Sequence, residues 1–146
     1  MDYTKDPVFL RQIIMDHYQH PRNKRLYDEH DHYHERHMNA DSCIDDIKVQ
    51  AKIKDGVIDS VVFDGVACVI STASTSIMTE LLKGKTLTEA KELIATYNKM
   101  INLEPFEEES MQEAIAFSNV GKQANRIGCA TIGWRAISEI ISESEN

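Results

Sequence analysis

The sequence predicts an α+β fold, in which a small antiparallel β-sheet of about three strands packs with about five helices. Three observations predict it. Apolar and polar residues alternate from Ile47 to Ile53, as in a strand with one buried face. Asp55-Gly56, a strong hairpin turn, follows directly. From about Ser71 onward apolar residues recur at helical spacing, so the order is helix, sheet and then a run of helices.

The first predicted element is a helix. Asp6 is suited to cap it and Pro7 to occupy its first position, while Leu10 and Ile13 follow helical spacing. The helix is expected to end before Pro21, because the residue before a proline disfavours helical geometry.

A polar, aperiodic stretch covers residues 21–46 and contains four of the six histidines, His30, His32, His34 and His37. Alternate spacing at 30, 32 and 34 would place three imidazoles on one side of an extended segment, where they could bind a metal. The favoured alternative is a hydrated loop or an exposed edge strand.

Residues 47–64 predict an antiparallel hairpin with one face in water. Ile47, Val49 and Ala51 are expected to point to the core, and Gln50 lies among the lysines of the opposite face. The second strand is expected to end at Phe63, before Asp64-Gly65.

Helices are predicted for most of the remaining chain. One runs from about Ser71 to a stop at Gly84, and the capping box from Thr86 to Glu89 opens another. A short helix is expected at about residues 110–117, then a loop over 121–128, then a last helix that begins at Cys129. The sequence contains no internal repeat or long linker, so one domain is predicted over residues 1–146.

Composition limits the function. The net charge of −8 and the pI near 5.2 argue against nucleic acid as a partner. No apolar run has the length of a membrane span, and residues 1–6 do not start a signal peptide. An odd number of cysteines without an export signal favours reduced thiols and a cytoplasmic location.

The three cysteines, Cys43, Cys68 and Cys129, are the candidates for chemistry, together with Asp45. Three thiolates and one carboxylate are the four donors of a tetrahedral zinc site. The same residues could hold an iron–sulfur cluster. Four thiolates usually bind such a cluster, and here an oxygen would replace one of them. The remaining alternative is three small buried residues without function. Because each cysteine is predicted at a junction between elements, and Cys68 and Cys129 at helix starts that favour thiolate, the functional interpretation is preferred.

Several motifs together resemble one known family. They are residues 14–23 (IMDHYQHPRN), Cys43-x-Asp45, Phe63-Asp64-Gly65 before Cys68, Ser71-x-Ala73-Ser74-x-Ser76-x-Met78-Thr79, Lys83-Gly84-Lys85 and Arg126-Ile127-x-Cys129-Ala130. In this order they resemble the U-type iron–sulfur assembly proteins, the IscU and SufU family that also forms the N-terminal domain of NifU. The similarity extends over about residues 8–142.

Two traits are similar to the SufU branch. Gly128 stands where the classical scaffold branch has a histidine, and residues 123–127 (QANRI) replace its Leu-Pro-Pro-Val-Lys chaperone signal. The resemblance implies a zinc ion bound by Cys43, Asp45, Cys68 and Cys129. It also implies that the protein accepts sulfur from a cysteine desulfurase of the SufS type and supplies downstream iron–sulfur scaffold or acceptor proteins. Such a protein is a persulfide acceptor, similar to a sulfurtransferase, rather than a conventional turnover enzyme.

Cys43 is the predicted sulfur acceptor, because it follows a long polar segment whereas the other two cysteines are each tied to a helix start. The alternative function is a scaffold that assembles a labile [2Fe–2S] cluster on the same ligands. Arg126 is expected to pair with Asp45 or the persulfide, or to form an ordinary surface salt bridge.

The sequence departs from the family at two glycines. Ile44 and Ala67 stand where the family usually has glycine. If those positions require positive φ, Ile44 would be strained, because β-branched residues disfavour that region.

Overall fold

The computed structural model describes residues 6–28, 32–39 and 44–145. Within them the chain forms, in order, α1 (Pro7–Gln19), β1 (His34–Asn39), β2 (Asp46–Lys54), β3 (Val57–Val66), α2 (Val69–Leu82), α3 (Leu87–Ile101), α4 (Glu108–Met111) and α5 (Ala124–Ser144). Two short 3₁₀ helices, Gln112–Phe117 and Val120–Lys122, connect α4 to α5. The predicted α+β class, with three strands and five helices, is confirmed.

The sheet has the order β1-β2-β3 with antiparallel pairing throughout. Asp55 and Gly56 join β2 to β3 with φ of +54° and +75°, the positive values that a two-residue type I′ turn requires. β3 continues to Val66, beyond the end predicted at Phe63. The predicted end was too early. Asp64-Gly65 is typical of a turn, but in the structure both residues are part of the paired strand.

One face of the sheet forms the core as predicted, since Ile47, Val49 and Ala51 are all buried. The prediction that Gln50 faces water is wrong. Its amide nitrogen donates to the Tyr27 carbonyl at 2.9 Å and its amide oxygen accepts from the Tyr27 N–H at 2.8 Å. The chain after α1 therefore crosses the outer face of the sheet and covers part of it.

α2 is the central helix, packed against both α1 and α5, and residues 71–79 are all buried. Its small side chains allow close approach. Gly133 of α5 lies against Thr75, and a Cβ at position 133 would be 2.5 Å from Thr75 Oγ1. Tyr97 of α3 stacks on Trp134 of α5 with ring centroids 3.8 Å apart, which joins α3 to the same core.

The motif at residues 14–23 fixes α1 to α2. The buried His17 ring contacts Ser76 Oγ through Nδ1 at 2.8 Å and Glu113 Oε1 through Nε2 at 3.3 Å. The Arg22 N–H donates to the same Ser76 oxygen at 2.9 Å. Asn23, in the left-handed region with φ of +59°, accepts the Phe63 N–H at 3.0 Å. This part of the motif is structural.

Part of the histidine-rich segment, His34–Asn39, forms an edge strand, and metal binding by His30, His32 and His34 stays a prediction. β1 begins at His34, so His32 precedes the strand, and His30 lies outside the described residues. His37 is on the exposed face, where it contacts the Asp46 carboxylate. Among residues 6–28, 32–39 and 44–145, the single group of three potential metal ligands contains no histidine.

None of the helices in the described part of the chain combines the length and the hydropathy needed to cross a lipid bilayer.

Candidate metal centre

Three of the four predicted ligands meet in the fold. One ligand atom each from Asp45, Cys68 and Cys129 lies within 4.8 Å of the other two. The Asp45 residue is only 2% exposed and Cys129 only 5%, while Cys68 is half-buried. Cys43, the fourth predicted ligand and the predicted sulfur acceptor, lies outside the described residues. Because Cys43 is two residues before Asp45 in the sequence, it remains a predicted ligand of the same centre.

The pairing of β2 with β3 brings Asp45 beside Cys68. Because β3 continues past Phe63, Asp46 pairs with Val66 at the end of the ladder. Asp45 and Cys68 then lie just beyond the paired ends of the two strands. Gly65 permits this close pairing, because its φ is +137° and a Cβ there would overlap the backbone of Asp46.

An ion pair at the same end of β3 supports this geometry. Lys24 Nζ donates to Asp64 Oδ1 at 2.6 Å, and the Gly65 N–H donates to the same oxygen at 2.8 Å. These hydrogen bonds, led by that of Lys24, hold the pKa of the Asp64 carboxyl below its usual range, against the opposing effect of partial burial. The pair lies on the protein surface, so its role is to fix the strand end rather than to add much stability.

The first turn of α2 binds Asp45. The Cys68 N–H donates to Asp45 Oδ1 at 2.8 Å, and the buried Ser71 hydroxyl donates to Asp45 Oδ2. Cys68 is the N-cap residue of α2, and its sulfur accepts the Ser71 N–H at 3.4 Å. Cys68, Ser71 and Asp45 therefore form one connected unit at the start of the helix.

Ser71 is the residue of this centre that sequence reasoning missed. It was visible within a family motif, but its contact with Asp45 joins residues 26 positions apart and has no local signal. Its spacing of three residues after a helix-capping position is the one feature that could have drawn attention to it.

Cys129 reaches the centre from inside α5. The helix begins at Ala124, so the prediction of a loop up to Gly128 is wrong, and Cys129 lies in the second turn. Gln123 makes no side-chain capping bond, so the start of the helix has no local sequence signal. The dipole argument for thiolate at Cys129 is accordingly weakened, because the unpaired amides of a helix belong to its first turn.

A buried hydrogen-bond network fixes α5 next to Cys129. The Ala130 carbonyl accepts from Ser74 Oγ at 2.6 Å and from the Tyr97 hydroxyl at 2.7 Å. Trp134 Nε1 donates to Ser74 Oγ at 3.0 Å. Complete burial raises the pKa of Tyr97 far above its usual value, so this hydroxyl remains a donor. The network joins α2, α3 and α5 one residue after Cys129.

The two departures from the family glycines cause no backbone strain. Ile44 and Ala67 are both absent from the residues of the described chain that have positive φ. Ile44 is instead 70% exposed, which places an apolar side chain on the surface between Cys43 and Asp45 in the sequence. Among the described residues, no carboxylate oxygen is reported within 4.0 Å of the Arg126 guanidinium, so the partner of Arg126 stays a prediction.

The donors present fit a zinc ion. Zinc takes four ligands in a tetrahedron from thiolate, imidazole and carboxylate, and ligand atoms at zinc-binding distances lie roughly 3.8 Å from one another. The three donor atoms here are within 4.8 Å before any ion draws them together. A buried carboxylate beside two thiols is thus a nearly formed site for a cation that accepts both sulfur and oxygen.

The chain is similar in sequence to known proteins of iron–sulfur cluster assembly. The family model described as NifU-like N terminal domain matches residues 10–144. The zinc-dependent sulfurtransferase SufU of Bacillus subtilis is 32% identical over 136 residues, which are 92% of this chain and 90% of that protein. The iron–sulfur cluster assembly scaffold protein IscU of Thermotoga maritima is 32% identical over 70% of this chain and 72% of its own length.

A solved structure is also similar. It is a putative iron–sulfur cluster assembly scaffold protein for the SUF system from Fervidobacterium islandicum, with a TM-score of 0.81 and 27% identity. The match covers 89% of this chain and 94% of that one.

Proposed function

Because the chain belongs to the family of NifU-like N-terminal domains, a family of iron–sulfur cluster assembly, we propose that it is a zinc-dependent sulfur acceptor. Its sulfur donor is a cysteine desulfurase of the SufS type, and its product is sulfur for iron–sulfur clusters. The observation that carries the proposal is the group of Asp45, Cys68 and Cys129, whose ligand atoms lie within 4.8 Å of one another. The similarity to a zinc-dependent sulfurtransferase over 92% of the chain supports it.

Cys43, Asp45, Cys68 and Cys129 would hold the zinc. When bound, zinc keeps its cysteine ligands deprotonated and adds no redox chemistry of its own. The carboxylate of Asp45 is oriented for this role by the Cys68 N–H and the Ser71 hydroxyl. Partners of this kind, which hold a ligand from behind, commonly determine how tightly a metal is bound.

The transfer itself is thiolate chemistry of Cys43. The nucleophile in sulfur exchange is the thiolate, and a free cysteine with a pKa of about 8.5 is only slightly ionised at neutral pH. The Cys43 thiolate attacks the terminal sulfur of the donor's persulfide. The donor's sulfur–sulfur bond breaks, its cysteine leaves as a thiolate, and Cys43 carries the new persulfide, so no external oxidant or reductant is needed.

Transfer of labelled sulfur tests the proposal. The desulfurase is charged with ³⁵S-cysteine, and label on this protein is followed after non-reducing separation. We expect wild type to become labelled and Cys43→Ser to remain unlabelled, with zinc content measured on the same samples. Labelling of Cys43→Ser at the wild-type rate would overturn the assignment of Cys43. Absence of label on the zinc-bound wild type would overturn the function.

A scaffold that assembles a [2Fe–2S] cluster is the second candidate, favoured by the similarity to IscU over 70% of the chain. The same thiols and carboxylate would hold the cluster as cargo. Metal content after purification in air separates the two functions. A colourless protein with about one zinc per chain that stimulates desulfurase turnover supports sulfur transfer, whereas a brown protein with visible absorbance supports the scaffold.

A further inference from the structure

An apolar groove of about 420 Å³ lies between α1, the start of α2, the 3₁₀ segments and the start of α5. This volume is in the range of pockets that bind a ligand or an anchoring side chain. Its apolar walls are Leu10, Ile14, Val69, Ile70, Ala116 and Val120. Met15 lies at its edge and is 37% exposed.

The groove adjoins the candidate metal centre. Val69 and Ile70 directly follow Cys68 at the start of α2, and Arg126 precedes Cys129 by three residues in α5. The ends of α2 and α5 that carry the thiols therefore also form the groove. A molecule bound in the groove would contact the same helix ends that carry the thiols.

The charge of the groove is opposite to that of the protein. The chain has a net charge of −8, yet within the described residues no aspartate or glutamate lines the groove. Its two charged residues are Arg11 and Arg126, which are both exposed. In the described parts of the chain, neither guanidinium is within 4.0 Å of a carboxylate.

Arginines beside an apolar groove that pair with no carboxylate of the described residues are suited to an acidic partner. The planar guanidinium binds carboxylates with two parallel hydrogen bonds and is enriched where protein interfaces gain most of their affinity. The apolar walls would bury a hydrophobic side chain, and the two arginines would orient the carboxylates on either side of it. This complementarity determines orientation and association rate as well as affinity.

We propose that the groove docks a segment of the sulfur-donor protein in which a hydrophobic side chain is flanked by carboxylates. The proposal rests on the proposed function, because sulfur exchange needs the two reacting sulfur atoms about 3–3.5 Å apart. The donor must therefore contact the surface that surrounds the thiols. The groove is an apolar and positively charged surface at the helix ends that carry Cys68 and Cys129.

Charge reversal tests the docking site. The probe is the SufS-type cysteine desulfurase with persulfide on its active cysteine, and its Kd for this protein is measured by titration at two salt concentrations. For Arg11→Glu/Arg126→Glu we expect binding to weaken about tenfold or more. We also expect a smaller effect of salt than in the wild type, because two charge contacts are lost.

Matched variants complete the test. Lys54→Glu/Lys99→Glu makes the same change in net charge at two exposed residues outside the groove and should bind the donor as wild type does. Arg11→Glu alone, on a helix that carries no predicted ligand, should weaken binding. Arg11→Gln/Arg126→Gln, which removes the charges without reversing them, should weaken it less. Zinc content and circular dichroism confirm that each variant is folded and loaded.

Wild-type affinity in both arginine double variants, while the wild type accepts sulfur normally, would overturn the docking site and leave the proposed function standing. A wild type that takes no sulfur from the donor would overturn the function, and the docking site with it. If instead the arginine variants abolish a homodimer seen by sedimentation and leave donor affinity unchanged, the groove binds a second copy of the chain and the proposal is wrong.

Discussion

Asp45 is bound through both of its carboxylate oxygens to the first turn of α2. The Cys68 N–H contacts one oxygen and the Ser71 hydroxyl the other. Since the Cys68 N–H is on the backbone, Ser71 is the partner that a side-chain substitution removes. A carboxylate that is held in place loses less freedom when it binds a metal, so the hydroxyl should contribute to affinity without touching the ion.

We therefore expect Ser71→Ala to weaken zinc binding about tenfold, as removal of such supporting partners commonly does. Competition with a chromophoric chelator measures this affinity without reference to activity. Ser110→Ala is the matched control, because Ser110 lies in α4 and its Oγ donates to the Glu107 carbonyl at the start of the same helix. Ser71→Thr, which keeps a hydroxyl, should recover part of the loss. Equal zinc affinity in Ser71→Ala and wild type would show that the contact does not support the ligand.

Among the elements, the paired ends of β2 and β3 determine where Asp45 lies. Gly65 has φ of +137°, and an added Cβ would lie 2.8 Å from Ile47 Cα of the partner strand. Gly56 in the turn also has positive φ, +75°, but its Cβ would meet nothing within 4 Å. The two glycines therefore separate the cost of backbone conformation from the cost of strand separation.

Gly56→Ala should lower the free energy of unfolding by about 1 kcal/mol, the cost of a side chain in the left-handed region. Gly65→Ala should lower it by about 3 kcal/mol, because strand separation adds to that cost. Only Gly65→Ala should also weaken zinc binding, since it moves Asp45 relative to Cys68. Urea unfolding of the metal-free proteins and chelator competition provide the two measurements. A Gly65→Ala protein as stable as Gly56→Ala would contradict the close pairing.

Two glycines of α5, Gly133 and Gly128, allow a similar comparison at the contact of α5 with α2. A Cβ at Gly133 would lie 2.5 Å from Thr75 Oγ1 and 2.8 Å from its Cγ2, whereas at Gly128 it would meet nothing within 4 Å. Gly133→Ala should destabilise the protein by about 1–3 kcal/mol through overpacking. Gly128→Ala should stabilise it by up to about 1 kcal/mol, because alanine favours a helix. Thermal or urea unfolding of the metal-free variants measures both changes in stability. If the two substitutions changed stability in the same direction, the close contact of α2 with α5 would be refuted.

For the molecule as a whole, elements with strong local signals were predictable from the sequence. Asp6 caps α1, Asp55-Gly56 forms the turn between β2 and β3, and Thr86 with Glu89 forms the capping box of α3. Each depends on residues a few positions apart. The start of α5 was not predictable, because packing of its buried face rather than a cap determines where it begins.

The candidate site divides in the same way. The predicted ligands Asp45, Cys68 and Cys129 were proposed from residue type, position and family resemblance, and the fold brings them together. Ser71 and the burial of Gln50 were missed, because each depends on a segment distant in sequence. Short-range patterns contain no information on such contacts, which only the complete tertiary structure creates.

Burial of a tyrosine at the centre of this fold gives the whole molecule a pH dependence. Desolvation raises the pKa of Tyr97 above its usual value, and the neutral hydroxyl bonds the Ala130 carbonyl. The unfolded chain releases this proton at a pH near 10, whereas the folded protein retains it. Stability from this group is therefore complete below pH 10 and is lost as the pH rises above it.

Urea unfolding of the metal-free protein between pH 9 and pH 11.5 measures this effect. The contribution of Tyr97 has a limiting slope of about 1.4 kcal/mol per pH unit. Tyr97→Phe should be less stable at pH 9, because it loses the bond to Ala130, but its stability should fall less steeply above pH 10. Tyr18→Phe is the control, because it removes the same hydroxyl from a residue that is 41% exposed. Identical slopes for Tyr97→Phe and wild type would mean that the buried hydroxyl ionises as readily in the folded protein as in the unfolded chain, so that the core around α5 admits water at high pH.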